Sequence, residues 1–189
     1  MFAISATLVG AILLHSYGGG GILSGFLHPL LGVDHLLAML AVGFLSAQIG
    51  KRAIWSVPTA FVGMMALGAF LGIAGVHLPL VEYGITGSVV ILGAGILAYR
   101  GLPEWVGVVL AGFFGFFHGH AHGMEIPDLT NTFGLLLAYI TGFLVATASL
   151  HVIGALVGIM AIRSERGKMM VRAFGGVIAV IGVILVLRI

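Results

Sequence analysis

Six apolar stretches follow one another along the chain, with short connections between them. A helix needs about 20 mostly apolar residues to cross a bilayer, and this rule predicts spans roughly at 30–50, 53–75, 79–99, 103–123, 134–160 and 173–188. Only 7% of the residues are charged, against about a quarter in an ordinary soluble domain. That is too few for a water-facing surface, which excludes a soluble enzyme, a nucleic-acid binder and a disordered protein.

No linker, low-complexity tract or change of composition divides the sequence. We therefore expect an all-α membrane protein with one compact transmembrane domain over 1–189, made of an N-terminal hydrophobic segment at 1–26 and a six-helix core at 27–189. The 31 glycines suit this fold, because small residues let membrane helices pack closely. Segment 1–26 is either a seventh helix or a signal peptide. It lacks the basic start of an ordinary signal, since the first Lys or Arg is Lys51.

The basic residues favour one orientation. If the span at 30–50 starts outside, seven of the eight Lys and Arg residues lie inside and Arg188 alone lies outside. This distribution predicts a multi-pass protein of the cytoplasmic (inner) membrane whose basic connections face the cytoplasm. Four of the six acidic residues then lie toward the outer side, together with a cluster of histidines: Asp34, Glu82, Glu125 and Asp128.

A first polar group, His28, Asp34 and His35, interrupts the apolar pattern. Ionisable residues in a membrane span are costly and usually functional, although a hydrogen-bonded pair that only fixes helix packing is the alternative. Because proline suits the first position of a helix, Pro29 predicts a helix start, with His28 at its mouth. Asp34 and His35 would then lie about 8–9 Å inside the helix.

A second polar group lies at the end of the span at 103–123. At about 100° per residue, His118, His122 and Glu125 fall within one arc of about 60°. Two imidazoles one turn apart, followed by a carboxylate, form a recurrent geometry for divalent metals. His120 points to another face, where metal ligation and an interfacial or loop position are both open.

Other polar residues are more isolated. Glu82 is a lone carboxylate near the outer start of the span at 79–99, which favours a functional role. His151 is a single histidine within the span at 134–160 and is more typical of a hydrogen bond between helices, with a role in transport as the alternative. His15 and His77 are interpreted as surface residues of connections.

Imidazole and carboxylate ligands suit Ni²⁺, Co²⁺ or Zn²⁺, whereas Mg²⁺ and Ca²⁺ prefer all-oxygen sites. The sequence has no cysteine and no phosphate-binding loop, so we expect neither a thiolate site nor ATP binding of that kind. The membrane potential can drive a cation inward instead, with about 2.3 kcal/mol per charge per 100 mV. We expect no prosthetic group.

Two long motifs resemble the HupE/UreJ family of nickel/cobalt permeases. The first is His-Pro-x-x-Gly-x-Asp-His followed by Leu-Leu-Ala-Met at 28–39, and the second is Phe-His-Gly-x-Ala-His-Gly-x-Glu-x-Pro at 117–127. The resemblance implies a secondary permease that takes up Ni²⁺ or Co²⁺, whose partners are the ion and membrane lipid, with no nucleic acid. The resemblance also implies that six residues carry the metal, with His118 close by: His28, Asp34, His35, Glu82, His122 and Glu125.

The expected path starts at the outer surface with His28, Glu82, His118, His122 and Glu125, and leads on to Asp34 and His35. A non-enzyme is therefore predicted. An intramembrane zinc-dependent hydrolase is the alternative, since such enzymes also place histidines and an aspartate near one membrane face. A bis-histidine haem protein is a third possibility, but neither alternative accounts for the two long motifs.

Overall fold

The computed structural model of the protein describes residues 21–98, 101–124, 126 and 132–189. Within these ranges the chain forms helices and no strand, which confirms the expected all-α class. The helices are α1 (Ile22–Leu31), α2 (Val33–Ile49), α3 (Ala53–Ile73), α4 (Val81–Ala98), α5 (Glu104–Met124), α6 (Phe133–Ala161) and α7 (Glu165–Val186). Residues 1–20 lie outside this description, so the choice between a seventh helix and a signal peptide stays a prediction.

Four helices are long and apolar enough to cross a membrane: α3, α4, α6 and α7. The pair α1 and α2 adds a fifth span if it is taken as one element bent by 86° at its break. The prediction of six clear spans is therefore not confirmed. Helix α5 is 21 residues long. It is not among the described helices that are apolar enough to cross a membrane, because His118, His120 and His122 lower its mean hydropathy.

The break between α1 and α2 corrects the sequence interpretation of Pro29. This proline lies inside α1, and the helix ends two residues later, where Gly32 is extended at φ −85° and ψ 116°. Proline lacks a backbone donor and so weakens the helix around it, but the break falls at the glycine that follows. Asp34 accordingly lies in the first turn of a new helix, α2, and not about 8–9 Å inside a continuous one.

Helices α3 and α5 are packed backbone to backbone along glycines. A Cβ atom on Gly115 would overlap the carbonyl oxygen of Phe61, and one on Gly119 would overlap that of Met65. From the other side, Gly68 faces the backbone of Phe116. In a lipid environment such close contacts between small residues replace the hydrophobic force that joins helices in water. The position of α5 is therefore fixed against α3.

Glycines join the other helix pairs in the same way. Gly25 of α1 meets the backbone of Tyr139 in α6, Gly43 of α2 meets the backbone of α6 at His151, and Gly93 of α4 meets α7 near Gly175. Helix α6 thus packs against both α1 and α2. The glycine-rich composition is used at helix contacts, as expected for a membrane bundle.

The exterior of the bundle is apolar. Many large side chains that point outward are strongly exposed, among them Phe70, Leu156, Met160 and Val180. Trp55 and Trp105 are 73% and 68% exposed at the starts of α3 and α5, where membrane proteins commonly carry aromatic residues at the interface. Together with the long apolar helices, this surface describes a multi-pass membrane protein.

The two ends of the bundle differ in charge. At one end lie the connections 50–52, 101–103 and 162–164 with Lys51, Arg52 and Arg163; we call this end the basic face. At the opposite end lie the start of α2, the end of α5 and the start of α6; we call it the histidine face. Arg100 lies outside the described residues, and Arg188 follows α7 at the histidine face.

Candidate functional site

Four histidine rings from three helices meet near the histidine face, and we call them the imidazole cluster: His28 of α1, His35 of α2, and His118 and His122 of α5. Ring centroids lie 4.7 Å apart for His28 and His122, 4.4 Å for His35 and His122, and 4.8 Å for His35 and His118. Histidines of two polar groups about 90 residues apart in sequence thus meet in space. The ring of His35 lies against those of both α5 histidines, and the order in which an ion would meet them stays a prediction.

The two α5 histidines are completely enclosed, with exposures of 0% for His118 and 2% for His122. They lie one helical turn apart, so both rings project from the same face of α5. Gly115 and Gly119 lie on the adjacent face of α5, where a Cβ atom would overlap the backbone of α3. This close packing beside the two imidazoles fixes their height along α5 relative to α3.

Ser88 of α4 determines which nitrogen of His118 carries the proton. The serine hydroxyl donates to the carbonyl of Ile85 at 2.6 Å, so its oxygen accepts from Nε2 of His118 at 3.0 Å. Nδ1 of His118 is then the nitrogen with the lone pair, and it has no hydrogen-bond partner among the described residues. A lone pair on a neutral imidazole is the group that binds a divalent transition metal.

His122 lies at the centre of the cluster. Its ring contacts those of His28 and His35 and lies 4.1 Å from the ring of Phe143. Within the described part of the chain, neither of its nitrogens has a hydrogen-bond partner. A buried polar group left in that state costs about 1–3 kcal/mol. An ion that supplied the missing partner would recover much of that free energy.

Asp34 holds His35 in the orientation that the cluster needs. Its Oδ1 atom accepts from the backbone N–H of His35 and from the ring Nδ1 of the same residue, both at 2.9 Å. The proton on Nδ1 leaves the lone pair on Nε2. A carboxylate behind a metal-binding histidine is a common arrangement that fixes the tautomer and raises the basicity of the ring.

The first turn of α2 also depends on Gly32. A Cβ atom there would lie 3.1 Å from both Oδ1 of Asp34 and Nδ1 of His35. This is tighter than an ordinary carbon contact, so glycine leaves room for the hydrogen bond between Asp34 and His35.

The cluster is more open on the α1–α2 side than on the α5 side. His28 and Asp34 are half-buried, and Asp34 retains 25% of its side-chain exposure. A cavity of about 130 Å³ lies beside His122 between α3 and α6, with mostly apolar lining that includes Phe70, Tyr139 and Ile140. From the histidine face the cluster is therefore more accessible at His28 and Asp34 than at the two α5 histidines.

Glu82 and Glu125 are the two other residues expected to carry metal. Glu82 is exposed in the first turn of α4. It is six residues from Ser88, which places it about 120° around the helix from the face that meets His118. Glu125 lies outside the described residues. In the described ranges no three histidine or carboxylate side chains are already placed to hold an ion, so every ligand role stays a prediction.

His120 and His77 have surroundings different from those of the cluster. His120 is buried on another face of α5, and its Nε2 donates to the carbonyl of Val76 at 2.6 Å. It therefore ties the end of α5 to the connection between α3 and α4. His77 is exposed in that connection, as the sequence indicated. His15 lies outside the described residues.

His151 corrects a further interpretation. A hydrogen bond between helices was expected, but in the described part of the molecule neither ring nitrogen has a hydrogen-bond partner. The side chain is 1% exposed, and its ring lies 5.0 Å from that of Phe61. In the sequence His151 is a single histidine within an apolar stretch. Only the packed helices show that no described residue is placed to accept or donate a hydrogen bond to its ring.

The fold and the site define a multi-pass helical membrane protein with an imidazole cluster buried near one face. The chain matches the family model described as HupE / UreJ protein over residues 2–185. It is 42% identical over 163 residues to Protein HupE of Rhizobium leguminosarum bv. viciae, an alignment that covers 86% of this chain and 82% of that protein. The chain therefore belongs to the HupE/UreJ family, which confirms the resemblance of its motifs. No solved structure matches it.

Proposed function

We propose that the protein is a secondary transporter that takes up Ni²⁺ or Co²⁺ through the imidazole cluster. Membership of the HupE/UreJ family supports this function at the level of transition-metal transport. The observation that carries the proposal is the cluster itself: four imidazoles inside a membrane bundle, each in contact with the next, where His122 has no hydrogen-bond partner among the described residues. Imidazole and carboxylate together favour these borderline divalent ions.

The residues take different roles in this proposal. His28 meets the ion first, His122 receives it next, and His35 and His118 then bind it through Nε2 and Nδ1 respectively. Asp34 acts on the ion through His35, because its Oδ1 atom already accepts two hydrogen bonds from that residue. Glu82 and Glu125 add negative charge around the access to the cluster. Neither a prosthetic group nor a chemical reaction is part of this function.

The charge of the two faces supports an orientation. We propose that the basic face lies in the cytoplasm and the histidine face outside the inner membrane, as the positive-inside rule predicts. The ion then enters on the side that holds Asp34 and moves down the membrane potential. For a dication, 100 mV supplies about 4.6 kcal/mol, which supports an accumulation of more than about a thousandfold.

The test is uptake of ⁶³Ni²⁺ and ⁵⁷Co²⁺ into proteoliposomes that hold the purified protein, with and without an imposed inside-negative potential. We expect saturable uptake of at least one ion that increases with the potential. His35→Ala should lower the initial rate more than about tenfold. His77→Gln is the matched control, because that histidine is exposed outside the cluster.

A flat response of the wild-type protein to both ions, at any potential, would refute the transport proposal. Wild-type uptake that His35→Ala leaves unchanged would refute the path through the cluster while leaving transport in place. Purified protein that retained a tightly bound zinc ion and hydrolysed a lipid would instead support a hydrolase.

A further inference from the structure

One face of α6 continues from the imidazole cluster toward the centre of the bundle. Tyr139, Phe143, Thr147 and His151 recur every fourth residue, and all four are buried. Residues four apart lie one above another on a helix. The ring of Tyr139 lies 6.0 Å from that of His28, and Phe143 contacts His122, so the upper half of this face is a wall of the cluster.

The lower half of this face ends in polar atoms that nothing in the described chain satisfies. The hydroxyl of Thr147 and both ring nitrogens of His151 have no hydrogen-bond partner there, although both side chains are completely enclosed. Buried polar groups in proteins are nearly always paired, so an unpaired hydroxyl and imidazole one turn apart need an explanation. Burial without a partner costs about 1–3 kcal/mol for each group.

Phe61 of α3 connects the cluster to His151. Its ring lies 5.4 Å from that of His118 and 5.0 Å from that of His151. The Phe61 ring is fully buried, and it is one side chain that contacts both histidines. An ion that leaves Nδ1 of His118 therefore has a second imidazole within one further step.

The heights of the histidines form a descending series. At 1.5 Å per residue, His122 is about 27 Å and His118 about 21 Å from the basic end of α5, while His151 is about 15 Å from the basic end of α6. The hydrocarbon core of a bilayer is about 30 Å thick. His151 therefore lies close to the middle of the membrane, about one helical turn below His118.

We infer that His151 and Thr147 form a second binding station for the transported divalent ion, reached from the imidazole cluster past Phe61. This inference rests on the proposed transport function and extends its path to the bilayer centre. The ion takes one imidazole nitrogen and the threonine hydroxyl there and retains water in its other positions. A station with fewer protein ligands than the cluster holds the ion more weakly, so the ion can continue toward the basic face.

The test compares His151→Gln, His151→Cys and wild type in the same proteoliposomes, by initial rates of ⁶³Ni²⁺ uptake over a range of ion concentrations. Glutamine keeps size and polarity but is a poor ligand, whereas a cysteine thiolate binds these metals well. We expect His151→Gln to lower the maximal rate more than about tenfold and to leave KM within about twofold, since the cluster that captures the ion is intact. His151→Cys should recover part of the lost rate.

His120→Gln is the matched control, because His120 is equally buried but its Nε2 atom already has a protein partner. Its maximal rate should stay within about twofold of wild type. Thermal unfolding of each purified variant separates loss of transport from loss of fold. Full activity of a folded His151→Gln variant, or a Cys variant no better than Gln, would overturn the second station. If wild type itself takes up neither Ni²⁺ nor Co²⁺, the proposed function fails, and this station fails with it.

Discussion

The imidazole cluster has two walls that are built differently. The α5 wall carries His118 and His122 on a helix whose adjacent face is packed, glycine by glycine, on the backbone of α3. The α1–α2 wall carries His28 and His35 on either side of a break, where an extended Gly32 joins two helices bent by 86°. The first wall is enclosed and continuous, while the second is partly exposed and interrupted at Gly32, although Gly25 and Gly43 also meet the backbone of α6.

In the proposed transport function, this difference would let the site both select and release an ion. A fixed wall sets the spacing between ligands, and spacing and ligand type give selectivity among divalent metals. A wall with a break can change shape at few residues, because only the backbone around Gly32 has to move. The four tests that follow probe this contrast.

The largest effect is expected at the centre of the fixed wall. His122→Ala removes the ring that contacts both His28 and His35, and we expect the initial rate of ⁶³Ni²⁺ uptake to fall about 100-fold. His28→Ala removes only a half-buried ring at the edge of the cluster and should lower the rate less. A greater loss in His28→Ala than in His122→Ala would reverse the assignment of the two walls.

The two walls should also differ in how much stability the protein loses when a glycine of each wall is replaced by alanine. Gly119→Ala places a methyl group on the carbonyl of Met65, and we expect a loss of about 1–3 kcal/mol, read as a lower Tm of the purified protein. Gly32→Ala needs a shift of only a few tenths of an ångström at Asp34 and His35, so it should lower Tm less. Gly63→Ala is the control, since a Cβ atom there meets nothing within 4 Å. If the three variants had the same Tm, close backbone contact between the α5 wall and α3 would not contribute to stability, and this prediction would be wrong.

The side-chain pair of the second wall is tested by Asp34→Asn. The amide can still accept a hydrogen bond from His35, but it lacks the charge that raises the basicity of the ring, so we expect uptake to fall about tenfold. Asp34→Glu keeps the charge on a longer side chain and serves as the comparison. Uptake by Asp34→Asn at the wild-type rate would show that the carboxylate charge has no part in transport.

The smallest effect is expected outside both walls. Glu82 is exposed and faces away from Ser88, so in our proposal it attracts the ion without holding it in the cluster. Glu82→Gln should raise KM about two- to threefold in low salt and leave the maximal rate unchanged, with the difference lost in high salt. A fall in the maximal rate as large as that of His122→Ala would place Glu82 among the direct ligands.

Much of the architecture could be predicted from the sequence, because it follows from local pattern. Apolar stretches indicated the long helices, and the helical period placed His118 and His122 on one face with His120 on another. The break at Gly32 was missed, since Pro29 carries a strong signal for a helix start, whereas it lies inside α1, a helix that packs on α6 through Gly25.

The contacts of the site could be predicted less well. No local pattern shows that His35 lies between His118 and His122, because those residues belong to helices that meet only through the folded bundle. His151 was equally hidden, since a lone histidine looks the same in sequence whether or not a neighbour satisfies it. Predictions for both residues required the packed structure.

The crowding of the four rings has an electrical consequence for how many ions the cluster can hold. Neighbouring centroids lie 4.4–4.8 Å apart, and the one carboxylate that the described contacts place against a ring is Asp34. Two dications about 5 Å apart repel each other by about 13 kcal/mol even at an effective dielectric constant of 20. In the proposed transport function the cluster therefore holds one ion at a time, and each ion has to move on before the next can take its place.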